Sequence, residues 1–213
     1  MTHSDALMRA AAEHIVAIDP AFAPIVATSP LCTIGRADNQ PDTHFASLVK
    51  SVIAQQLSTT VADTLTTRLT AALNGDVSPA KVLALDEELM RAAGLSRAKT
   101  RTLKGLAAAM HSGELDIDAA LAADDEHRLR SELTALWGIG RWTAEMFEMF
   151  TLHRLDVWPV GDLAMRRGWA QLHNLPEDPG PKALDPLGEP LRPYRSVAAW
   201  YCWRAVDGDN TSW

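Results

Sequence analysis

Two parts of the chain hold residue types whose spacing could do chemistry. The first is Leu136-Trp137-Gly138-Ile139-Gly140-Arg141-Trp142-Thr143-Ala144. Gly138 and Gly140 permit positive φ and put no Cβ in the way of an approaching ligand. The helical pattern behind them offers N-terminal N–H groups, which suit a phosphate. A tight αα-corner with glycine for packing is the other use of such a turn. The second is Asp162, in Trp158-Pro159-Val160-Gly161-Asp162, 22 residues past Gly140. A carboxylate after an apolar run and a turn is a candidate catalytic acid. It is also a good N-cap for Leu163-Ala164-Met165, and the two uses are compatible.

The elements that must position these residues read as helices. Phe45, Leu48, Val49, Val52 and Ile53 form one apolar stripe behind the N-cap candidates Asp42 and Thr43. Val61, Leu65, Leu69 and Leu73 repeat every four residues and stop at Asn74-Gly75. Leu103, Leu106, Ala107 and Met110 make a third stripe, and Leu129, Leu133 and Leu136 a fourth that runs into the Gly138–Gly140 turn. Further helices are predicted near 141–152, 162–173 and 195–206, and Asp5, Arg9 and Glu13 among N-terminal alanines predict an amphipathic helix rather than a signal peptide. No alternating strand of useful length occurs, so the predicted fold is all-α. Residues 20–41 and the proline-rich 174–194 are predicted as loops.

Composition narrows the function classes. With 47% hydrophobic and 22% charged residues the 213-residue chain is an ordinary globular protein, and no apolar run approaches a membrane span. Cys32 and Cys202 define no disulfide framework or metal pattern, which predicts a reducing, cytoplasmic setting. The net charge of −7 argues against generic coating of nucleic acid. Three basic clusters could still make a positive face: Arg97, Lys99, Arg101 and Lys104; Arg166 and Arg167; Arg192 and Arg195. Each taken alone reads first as a solvated helix face.

The stretch 136–144 resembles the helix-hairpin-helix–Gly-Pro-Asp superfamily of DNA glycosylases, and within it the 3-methyladenine DNA glycosylase II (alkylbase) branch. Val52-Ile53-Ala54-Gln55-Gln56-Leu57-Ser58 upstream and Arg192-Pro193-Tyr194-Arg195-Ser196 with Trp200-Tyr201 downstream extend the likeness over roughly 40–206. The resemblance implies two helical lobes, 43–140 ending in the hairpin and 1–42 plus 145–213, with an active-site cleft between them. It implies hydrolysis of the N-glycosidic bond of an alkylated purine flipped out of damaged double-stranded DNA, by a monomer without a cofactor. Asp162 would be the catalytic acid, stabilising the oxocarbenium-like sugar and orienting water. Relatives that form a Schiff base place a lysine where this chain has Trp142, so no lyase step is expected. Iron–sulfur relatives need four cysteines, and this chain has two.

The same resemblance proposes the remaining site residues. Trp142, Trp158 and Tyr194 would stack on a cationic base, or else pack in the core; Met146 would shape the pocket wall. Leu57 would wedge into the base stack, with Gln55 or Gln56 bonding the orphaned strand or the flipped base. Gly138, Ile139, Gly140, Arg141 and Thr143 would contact DNA. Backbone carbonyls of Thr134, Leu136 and Gly138 would hold a monovalent Na or K ion. Rival readings are a non-catalytic helix-hairpin-helix protein for damaged DNA, a helical adaptor without DNA, and a glycosylase for hypoxanthine, ethenoadenine, oxidised bases or mismatches.

Overall fold

The computed structural model describes residues 3–35, 43–122 and 126–207, and among these every regular element is helical. The chain divides into two compact units, Met1–Gln40 with Glu148–Trp213, and Pro41–Phe147. The boundary thus falls inside the helix after the hairpin, at Phe147, rather than between 140 and 145. No helix is long and apolar enough to cross a membrane among the described residues.

The continuous unit holds α3 (His44–Ala54), α4 (Thr59–Ala72), α5 (Pro79–Ala84), α6 (Glu87–Ala92), α7 (Arg97–Ser112), α8 (Ile117–Ala122) and α9 (Glu126–Ala135), and enters α10 (Arg141–Phe150). Thr43 caps α3 by accepting the Ala46 N–H; Asp42 lies outside the described residues. Leu48, Val52, Ile53, Leu69, Leu103, Leu106, Leu129 and Leu133 are fully or almost fully buried. Each such burial contributes about 1.5–3 kcal/mol before entropy is counted. The stripe predicted for α4 is shifted at its start: Val61 is exposed and Ala62 is buried instead.

The discontinuous unit contains α1 (Asp5–Ile18), α2 (Ala23–Thr28), the end of α10, α11 (Leu163–Leu172), α12 (Gly180–Leu184) and α13 (Arg195–Asp207). Met8, Ile15, Phe22, Met165, Leu184 and Tyr201 form its core. Helices α11 and α13 pack at very close range, because a Cβ on Gly168 would come within 1.8 Å of the Cys202 carbonyl oxygen. That close crossing matters for the site below.

Two predicted loops are structured. In 20–41, Pro20–Phe22 forms a 3₁₀ turn that leads into α2. In 174–194, α12 is followed by a second 3₁₀ segment, Asp185–Leu191. Pro20, Pro24, Pro181 and Pro186 all occupy first-turn positions. There the missing N–H costs nothing and the fixed φ favours the helix, so these prolines begin helices rather than break them.

Candidate functional site

In the continuous unit, the hairpin between α9 and α10 is closed by Ile139 N–H donating to the Leu136 carbonyl at 3.1 Å. Ala144 N–H is the first in α10 to bond back within the helix, to Gly140 C=O at 3.2 Å. The amides ahead of it therefore point out of the helix N-terminus. The two glycines are there for different reasons. Gly138 has φ +84°, and a Cβ on it would meet Thr102 Oγ1 of α7 at 2.0 Å. Gly140 has no positive φ, and a Cβ on it would meet nothing within 4 Å. The first glycine is required by the fold; the second leaves its outer side open to a ligand.

Several predicted DNA contacts turn out to serve the fold. Gln55 donates its side-chain amide to Gly138 C=O at 3.0 Å and to Thr143 Oγ1 at 2.9 Å. It is therefore a brace between two segments rather than a hand held out to a base. Thr143 and Ile139 are buried at 2% and 3% exposure, so their side chains face the core. Arg141 is exposed but its Nε donates to the buried Glu145 at 2.7 Å. Of the carbonyls proposed for a cation, Gly138 accepts from Gln55 and Leu136 from Ile139. Each of these oxygens accepts one bond within the protein and keeps a second lone pair, and no step below uses an ion.

The turn between α3 and α4 is built to stand out. Gln56 is exposed with φ +58°, and Leu57 N–H donates to Ala54 C=O at 3.1 Å. Leu57 is 38% exposed, not tucked into the core. Lys99 Nζ donates to the Ile53 and Gln55 carbonyls, the second at 2.9 Å, satisfying the end of α3. Lys104 does the same for Leu83 and Leu85 at the end of α5. Half of the first basic cluster thus points inward, a use that sequence charge alone could not distinguish.

In the discontinuous unit, Asp162 is the N-cap of α11. Its Oδ1 accepts the Met165 N–H at 2.7 Å and the indole N–H of Trp203 at 2.9 Å. Trp203 comes from α13, brought within reach by the Gly168–Cys202 crossing. Sequence reading missed it, since nothing in the spacing between 162 and 203 marks a contact. The loop before Asp162 is braced by Arg166, which donates to the Val160 and Gly161 carbonyls and pairs with Asp178 at 2.8 Å. The Arg166 hydrogen bond, helped by the Gly180 N–H, holds the Asp178 carboxyl below the ordinary carboxylate range. Arg192 and Arg195 pair with Asp156 and Glu189. The second and third basic clusters are therefore also largely occupied within the protein.

The aromatic candidates separate. Trp158 is 4% exposed, donates its N–H to Leu184 C=O at 3.2 Å, and sits against Trp169 and under Gly188. It is a packing residue of its unit, which corrects its assignment to a base pocket. Tyr194 is half-buried, edge-on to His14. Trp142 is half-buried at the second position of α10, and Met146 is buried one turn on. No cluster of His, Cys, Asp or Glu suited to a metal occurs among the described residues.

A glycine hairpin and an aspartate after a Pro-Val-Gly turn are the two features on which the likeness to one class of proteins rests. Residues 49–193 match the family model described as the HhH-GPD superfamily base excision DNA repair protein, and the chain belongs to that superfamily. It is 35% identical over 162 residues to DNA-3-methyladenine glycosylase 1 of Schizosaccharomyces pombe, covering 75% of this chain and 71% of that one. It is 25% identical to the alkylbase DNA glycosidase-like protein of the same yeast, covering 94% of each. Among solved structures it resembles the S. pombe 3-methyladenine DNA glycosylase in complex with abasic DNA (TM-score 0.80, 31% identity, 91% of this chain and 95% of that one). A DNA-3-methyladenine glycosidase from Bacillus halodurans is similar too (TM-score 0.78, 33% identity, 93% and 89% covered).

Proposed function

We infer that this protein is a monofunctional DNA glycosylase that hydrolyses the N-glycosidic bond of alkylated purines in double-stranded DNA. The observation that carries the reading is the pair of donors on Asp162 Oδ1. Capping α11 needs only the Met165 N–H. The indole of Trp203 adds a second donor that fixes the plane of the carboxylate. A fixed carboxylate stabilises positive charge growing on the sugar without reorganising, and holds the attacking water by accepting its proton. The N-terminus of α11 favours negative charge at the same place.

The continuous unit supplies the grip. The open outer side of Gly140 and the amides at the start of α10 seat a backbone phosphate. Leu57, exposed on its turn, fills the space of the extruded nucleotide. Trp142 offers an aromatic face to a cationic base, an attraction of roughly 0.5–2 kcal/mol that a neutral lesion lacks. It also lacks an amine, so no imine forms there and the sugar–phosphate backbone stays intact.

The test is incubation with methylated duplex DNA, with free bases quantified and strand breaks scored before and after alkali. Release of 3-methyladenine faster than hypoxanthine, with breaks only after alkali, supports the reading. Breaks without alkali, or hypoxanthine released at least as fast, contradict it.

A further inference from the structure

We propose that Arg101, held over the exposed ring of Trp137, is a second phosphate-binding site, for a DNA backbone phosphate beside the one seated on the hairpin. The inference rests on the glycosylase reading above. It starts from Trp137, which immediately precedes Gly138 and stays 51% exposed with Arg101 beside it. The guanidinium carbon of Arg101 lies 4.1 Å from the ring centroid.

The geometry ties this pair to the hairpin. Thr102, the next residue of α7, is the group that a Cβ on Gly138 would strike. Consecutive residues of α7, 101 and 102, thus receive consecutive residues of the hairpin, 137 and 138. Arg101 is anchored at the turn itself and not elsewhere on the surface. A guanidinium carries five N–H donors in a fork that suits phosphate oxygens, and contact with a ring takes up no carboxylate or carbonyl partner.

The charges nearby make this cation distinctive. Lys99 and Lys104, on the same helix, are spent on backbone carbonyls, and Arg141 on Glu145. Arg101 is exposed and its contact is with an aromatic ring, which leaves its charge intact. A protein of net charge −7 must place its positive contacts with DNA locally, and this pair does so beside the turn.

Affinity for undamaged duplex DNA, measured over about 50 to about 200 mM salt, counts phosphate contacts through the slope of log K against log salt, with about 0.9 per contact. Arg101→Ala is expected to reduce that slope by about 0.9. Trp137→Ala keeps the charge but removes its platform, and is expected to weaken binding by about two- to fivefold. Arg91→Ala, which removes an exposed arginine from α6 in the same unit, controls for net charge and is expected to leave the slope unchanged. An unchanged slope in Arg101→Ala, or an equal fall in Arg91→Ala, overturns the phosphate site while leaving the glycosylase reading in place. A wild-type protein that binds no duplex at any of these salt concentrations contradicts both.

Discussion

The side-chain amide of Gln55 donates to the carbonyl of Gly138 at 3.0 Å, across 83 residues of sequence. With its second bond, to Thr143 Oγ1, it ties the turn that carries Leu57 to both sides of the glycine hairpin. The Leu57 turn and the glycine hairpin are thereby held in register within one unit. Gln55→Ala leaves a carbonyl and a buried hydroxyl short of a donor, at a cost of about 1–3 kcal/mol. At this chain length that lowers Tm by roughly 2–4 °C per kcal/mol. A thermal melt unchanged from wild type would show that the brace carries no stability.

The two hairpin glycines should fail in different assays. Gly138→Ala forces a side chain into positive φ, against Thr102, and is expected to cost more than about 2 kcal/mol of stability. Gly140→Ala meets no protein atom and should melt like wild type, yet bind duplex DNA at least about tenfold more weakly by crowding the phosphate. Melting and binding measured on both variants check the separation. Loss of stability in Gly140→Ala, or full DNA affinity, would contradict it.

Lys99 gives the fold a pH dependence. Burial pushes its pKa below the ordinary 10.5. Between that lowered value and 10.5 the unfolded chain holds the proton more tightly than the folded one, so stability from this group rises with pH across the window. Lys99→Met removes the titrating group and its bonds to Ile53 and Gln55. Denaturant titrations should show the stability gap between wild type and variant widening as pH climbs toward 10.5. A gap that narrows over that range would refute the sign.

Much of this was legible in the sequence, and the misses share physical causes. The apolar stripes located α3, α7 and α9, because burial imposes the helical period. The turn at Gly138–Gly140 and the N-cap at Asp162 were legible from local chemistry. Helices α5, α6 and α8 went unseen because six residues hold less than two turns of periodicity. Partners set by tertiary packing could not be read at all. Trp203 reaches Asp162 only through the Gly168 crossing, and Lys99 and Lys104 turn inward only because helix ends lie beneath them. The burial of Trp158 under Gly188 belongs to the same class.

Trp203 is expected to act through Asp162. Trp203→Phe keeps most of the ring's packing and deletes the one donor. Losing a hydrogen bond to a charged group, worth about 1.5–3 kcal/mol, should lower kcat by roughly ten- to a hundredfold. KM should change little, because the indole is buried and donates to the carboxylate. A raised KM with unchanged kcat would place Trp203 in binding instead.

Asp162→Asn tests the central claim most directly. Asparagine caps helices as well as aspartate and keeps a carbonyl oxygen for the Met165 and Trp203 donors, so the fold and duplex binding should survive. The negative charge is lost, and one carboxylate oxygen becomes an amide NH2. Single-turnover release of 3-methyladenine from methylated duplex DNA should fall by about 10²–10³-fold, with affinity for abasic-site DNA retained. Release at the wild-type rate would contradict the assignment of Asp162 as the group that stabilises the transition state.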